Sequence, residues 1–197
     1  DYSRSLAMYR RVVDEFPDYR FRDMVMYLMG YYLRLSEDLA GSSRVLADMT
    51  ATYDKSHYRI GAWMLLGHNY YDLSEYPKAV EAYAVVASVK ENNPSYEDAL
   101  YRLGWASFEE FNYELAINSF LLLLDYGEEK KGKEKQRLAL RQEAIESIAG
   151  SFTDADWDGD DLADGLGGHA ARANPAEAPF DAPARGDRVH SFADLLG

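Results

Sequence analysis

From residue 2 to residue 153 the apolar positions recur at intervals of three and four, not in strict alternation, which predicts amphipathic helices and no strands. The best-defined block reads Trp63, Leu66, Gly67, Tyr70, then Tyr76, Ala79, Tyr83 and Val86. Its two apolar arcs are separated by Leu73-Ser74-Glu75, so the block predicts two helices joined by a short turn. Pro77 suits the first turn of the second helix, where a missing N–H leaves no hydrogen bond unmade. A shift of 37 residues forward puts Leu103, Gly104, Tyr113, Ala116, Phe120 and Leu123 in the same places. The same shift back gives Met26, Met29, Gly30, Ser42, Leu46 and Met49 more loosely. One further step back lands on Tyr2, Ser5, Tyr9, Val12 and Pro17, a second helix without its first. Ile145, Ile148, Ala149 and Phe152 restart the pattern after a longer step of 45 residues, with the charged stretch Glu128 to Arg137 as a solvent-facing insertion.

Glycine or alanine at one fixed place lets two helices cross closely, and large side chains around it fill the seam. Self-similarity at such a period marks a solenoid, whose units cannot bury their apolar faces alone. The order Trp63-x2-Leu66-Gly67-x2-Tyr70 followed by Ala79-x3-Tyr83 resembles the tetratricopeptide repeat (TPR), and the resemblance covers about residues 1 to 153. It implies an all-α fold: a TPR-type superhelical array (α-solenoid) of antiparallel helix pairs, about four to five repeats, ending in an acidic loop and a flexible tail. The expected units are a truncated 1–17, then 23–56, 60–93, 97–130 and 135–153. The step exceeds the family's usual period of about 34 residues. This looseness is similar to that of the TPR adaptors of bacterial envelopes, which makes the periplasm or cell envelope of a Gram-negative bacterium the expected location. The incomplete first unit reads as a piece of a longer array.

In the family, three positions of each first helix point into a concave groove. Here the resemblance places Tyr27, Tyr31 and Arg34 there, with Met64, His68 and Tyr71, and with Tyr101, Trp105 and Phe108. Rings offer large contact area with few torsions to freeze, so a protein or peptide partner is expected. A clamp for an acidic chain end needs Lys, Arg and Asn gathered on these faces, and Arg34, Asn69 and Arg102 are scattered in the sequence. The competing expectation is that the rings pack on neighbouring units. The chain would then be a structural spacer in a large envelope or motility complex.

The remaining composition narrows the function classes. A net charge of −13 repels a phosphate backbone, so no nucleic-acid partner is expected. No apolar run approaches the roughly 20 residues of a membrane helix, so no membrane insertion is expected. With no cysteine, thiolate metal sites and cysteine nucleophiles are excluded. His57, His68, His169 and His190 show no metal-ligand spacing, and no hydrolase, phosphate-loop or dinucleotide motif occurs, so enzymatic activity is not expected.

After the repeats the composition changes. Asp154, Asp156, Asp158, Asp160 and Asp164, with Asp161 and Gly159 among them, set alternating carboxylates around a turn, as a calcium ion requires. Neither register supplies the closing glutamate of an EF-hand, and a solvated acidic turn is the alternative. Residues 154–187 read as an acidic loop and a Gly/Ala/Pro-rich linker. Residues 188–197 read as a short amphipathic helix with Val189, Phe192, Leu195 and Leu196 on one face. That helix is either the start of another unit or a docking peptide. Self-association through repeat ends or this helix is a further expectation.

Overall fold

The computed structural model describes residues 2–129, and among them every regular element is a helix. In chain order these are α1 (Ser3–Glu15), α2 (Arg22–Leu35), α3 (Leu39–Thr52), α4 (Arg59–Asp72), α5 (Tyr76–Ala87), α6 (Tyr96–Glu109) and α7 (Tyr113–Glu129). The chain divides into two compact units, Asp1–Ala99 and Leu100–Gly197. The pairs α2/α3 and α4/α5 belong to the first unit, preceded by the lone α1; the first turn of α6 closes that unit, and the rest of α6 leads into α7 in the second. The unit expected at 135–153, the aspartates Asp154, Asp156, Asp158, Asp160 and Asp164, the 154–187 linker and the 188–197 helix lie outside the described residues. Among the described residues no helix is long and apolar enough to cross a membrane.

The turn inside each pair closes in one way. Asp38 N–H donates to the Leu33 carbonyl at 3.0 Å, Glu75 N–H to Tyr70 at 2.8 Å and Asn112 N–H to Ser107 at 2.9 Å. This closure over five residues needs a left-handed residue just before the donor. Glu37 (φ 64°), Ser74 (φ 57°) and Phe111 (φ 62°) supply it, each 37 positions from the next. Asp38 and Asn112 then cap the following helices, accepting Gly41 N–H at 2.9 Å and Leu115 N–H at 3.1 Å. In α5 the equivalent Glu75 makes no such side-chain bond, and a proline stands in the first turn of the helix.

Packing repeats as the turns do. A Cβ built on Gly30 would lie 2.5 Å from Leu46 Cδ2, and one on Gly104 would lie 2.5 Å from Phe120 Cε1. Gly67 meets the Tyr83 ring in the same manner. Leu46, Tyr83 and Phe120 are all 0% exposed, so each glycine is a seat for the large side chain of the second helix. Met26, Leu46, Met49, Ala62, Leu66 and Ala82 form one core that joins the two pairs of the first unit. Leu6, Met29 and Leu33 form a smaller cluster that fixes α1 to α2.

Candidate functional site

In the first unit α2 and α4, the first helices of successive pairs, lie against each other and also share α3 as a neighbour. Tyr27 on α2 stacks on Tyr58, which precedes α4, with ring centroids 5.4 Å apart. Burial pushes the Tyr27 phenol above its ordinary value, and the neighbouring Tyr31 and Tyr58 push it the same way. The hydroxyl is therefore protonated at neutral pH and can donate. Tyr31, four residues on, is exposed and sets its edge against Tyr32 at 5.5 Å.

Arg34 is spent within the protein. One guanidinium nitrogen donates to Asn69 Oδ1 at 2.7 Å, and another reaches Asp72 Oδ2 at 2.6 Å. Asn69, fully buried, donates through Nδ2 to Ser42 Oγ at 2.8 Å, and Ser42 donates to the Gly30 carbonyl at 2.7 Å. One polar chain thus ties α2, α3 and α4 together at the seam. Arg34 and Asn69, scattered in sequence, are direct partners here, but they face each other and not an acidic ligand.

The expected residues of α4 divide. Met64 is 7% exposed and belongs to the interior, offering almost no surface. His68 Nδ1 and the Tyr83 hydroxyl share a 2.8 Å hydrogen bond, so this imidazole positions the ring seated on Gly67. Tyr71 is half-buried and presents its ring edge-on to Tyr76 at 5.4 Å. In the second unit the three expected residues form one cluster. Trp105 lies 6.4 Å from Tyr101 and 5.9 Å from Phe108, and Phe108 lies 5.5 Å from Tyr113 on α7. The Trp105 indole N–H is buried with no acceptor among the described residues. All three rings are half-buried, and both Tyr101 and Trp105 also touch Phe120.

Two features escaped the repeat comparison. Asn69 and Arg34 stand 35 positions apart, off the 37-residue step, so superposing units does not bring them together. The connection between α1 and α2 exposes Phe16, Tyr19 and Phe21, with the Arg20 guanidinium 4.2 Å from the Phe21 ring centre. Their tight spacing in sequence was the only available signal. Among the described residues no group of histidines and carboxylates could hold a metal ion.

No known family's sequence pattern matches this chain, and no curated protein matches it either. Solved structures do resemble it. A Podosopora anserina chain described as a putative kinesin light chain with nearly identical TPR-like repeats matches with a TM-score of 0.59 at 12% identity, covering 76% of this chain and 77% of that one. A singly substituted form of that same chain matches equally, with 73% of its own length covered. At this identity the likeness establishes the fold: all-α, with helix pairs repeated in the TPR-like manner.

Proposed function

We propose that this protein is a binding scaffold whose first-helix faces hold a peptide or partner helix. The observation that carries the reading is the rings on those faces, taken within each unit by itself. Tyr27, Tyr31 and Tyr71 in the first unit, and Tyr101, Trp105 and Phe108 in the second, remain partly or largely accessible after each has found a ring neighbour. Such rings are already oriented, so a partner gains apolar contact without freezing many torsions. The Tyr27 and Tyr31 hydroxyls add polar tips that fix register. Met64 supports this surface from below, and His68 does so through Tyr83. Arg34 holds α2 and α4 in place. Their contribution is to shape, and catalysis plays no part in it.

The experiment is capture of partners from a source-cell lysate by the full chain, beside a Tyr71→Ala/Trp105→Ala variant of unchanged helix content. A partner held by the unaltered chain and lost by the variant supports the proposal. A partner held equally by both moves binding off these faces. A second reading, a structural spacer, draws on the polar chain from Arg34 through Asn69 and Ser42 to Gly30, which fixes the geometry between successive pairs. Its mark would be function that survives ring substitution and fails when a helix pair is deleted.

A further inference from the structure

The turns inside the helix pairs are alike in backbone and unlike in what they expose. At the left-handed position stand Glu37, Ser74 and Phe111. Phe111 is 77% exposed, more than any other large apolar side chain among the described residues. Its N–H donates to the Phe108 carbonyl at 2.9 Å, and the N–H of Asn112 reaches Ser107, so the backbone beneath the ring is fixed. The fold gains little from this ring, which meets Tyr113 edge-on at 6.4 Å while its left-handed backbone is strained. From Phe111 the rings continue inward. Tyr113 stands 5.5 Å from Phe108, and Phe108 stands 5.9 Å from Trp105. One aromatic strip thus runs round the turn from α6 to α7.

Charge sets this turn apart as well. At the turns of the first unit Asp72 pairs with Arg34 at 2.6 Å, Glu75 pairs with Lys78 at 2.8 Å, and Asp38 accepts the Gly41 N–H. At the α6–α7 turn Glu109, Glu110 and Glu114 are all exposed, and among the described residues none of them holds an ion pair. The sequence has no lysine or arginine from 103 to 129. Arg102 precedes Glu109 by about two helical turns. Lys130, Lys131 and Lys133 follow only past the far end of α7, whose 17 residues measure about 25 Å.

Resting on the reading of Trp105 and Phe108 as a partner-binding face, we propose that the strip from Trp105 to Phe111 takes a basic amphipathic segment of a partner protein. Its aliphatic side chains cover the rings, and its arginines or lysines lie over ring faces and against Glu109, Glu110 and Glu114. The same glutamates repel an anionic bilayer and a phosphate backbone, so neither suits the strip. Because the turn is already fixed, the partner gains these contacts without ordering it.

The test is fluorescence anisotropy of a dye-labelled peptide of leucine and arginine, blocked at both ends, titrated with the full chain, with a leucine–glutamine peptide for comparison. The arginine peptide is expected to bind between about 10 μM and about 1 mM, and the glutamine peptide at least about fivefold more weakly. Glu110→Gln/Glu114→Gln should weaken binding about fivefold, and Phe111→Ser should do the same. Glu81→Gln/Glu91→Gln removes two exposed charges of the first unit and should change binding less than about twofold. All these positions are exposed, and circular dichroism checks that each variant keeps its helices. Equal losses in the two glutamate variants would assign the attraction to the chain's overall charge and overturn the proposal. So would indifference to Phe111→Ser, or no binding at about 1 mM. Tighter binding after Lys130, Lys131, Lys133 and Lys135→Gln would give the strip to this protein's own basic segment, which also overturns it. Equal binding of the two peptides, lost in Trp105→Ala, would sink the basic partner and leave the binding face standing. The face itself fails only if lysate capture survives Trp105→Ala.

Discussion

The guanidinium of Arg34 on α2 donates across the seam to Asn69 Oδ1 on α4 at 2.7 Å, and Asn69 is completely buried. The bond is the outer end of a chain that finishes on the Gly30 carbonyl, so every member depends on the one before. Arg34→Ala would leave the buried amide oxygen without its donor and should lower stability by about 1–3 kcal/mol. The ion pair to the half-exposed Asp72 is worth about 1 kcal/mol or less, so Asp72→Asn should cost far less than Arg34→Ala. Urea unfolding of both variants decides this. Equal effects would place the weight on the charge and not on the buried amide.

Gly67 has no room for a side chain. A Cβ there would stand 2.6 Å from Cδ1 and 2.9 Å from Cζ of Tyr83, whose ring is 0% exposed and tied through its hydroxyl to His68. Gly67→Ala should therefore destabilise by about 1–3 kcal/mol, although alanine is the better helix former. Adding Tyr83→Ala should give a combined loss smaller than the sum of the two single losses, and thermal unfolding of the single and double variants measures the coupling. Independent, additive losses would mean that the glycine is not a seat for the ring.

That seat was legible before any coordinate. Gly30, Gly67 and Gly104 recur with Leu46, Tyr83 and Phe120 at one interval, and the helix pairs follow from that interval. The ring faces were less legible. Position alone put Met64 and Tyr71 on the same footing, yet Met64 is interior and Tyr71 is half-exposed, because burial depends on which neighbours the fold sets against each side chain. Arg34 looked like a ligand-facing cation for the same reason. Its partners lie one unit away, and only the fold brings them within reach.

Left-handed turn residues give an opposite prediction. Phe111 is 77% exposed and holds φ at 62°, a conformation that strains any residue with a Cβ. Phe111→Gly removes the strain and loses little packing. It should raise stability by roughly 0.5–1 kcal/mol after the glycine's greater unfolded-state freedom is counted. Chemical denaturation checks the sign. A loss of stability would show that the exposed ring, stacked edge-on at 6.4 Å against Tyr113, contributes more than the backbone strain removes.

Tyr27 should shape the alkaline limb of stability. Its phenol ionises at a higher pH in the folded chain than in the unfolded one, chiefly because it is buried. The folded state thus holds the proton longer, so this contribution is complete below the ordinary tyrosine value near 10 and is lost as pH rises through the raised value. Tyr27→Phe should make the fall in melting temperature above pH 10 shallower and leave neutral pH behaviour nearly unchanged. Parallel curves for the two proteins would contradict this.

The most direct measurement of the binding role is partner capture with the rings of one face altered singly. Tyr31 is exposed and Tyr71 half-exposed, so Tyr31→Ala and Tyr71→Ala test the face of the first unit with little threat to its core. Lys78→Ala, an exposed change on α5, serves as the control. If the first-helix face binds, the captured partner is retained by the control and weakened roughly tenfold or more by either tyrosine change, the loss of about 1.4 kcal/mol expected when an anchoring ring is removed. Equal capture by all four proteins would contradict the binding role of this face and leave the spacer reading.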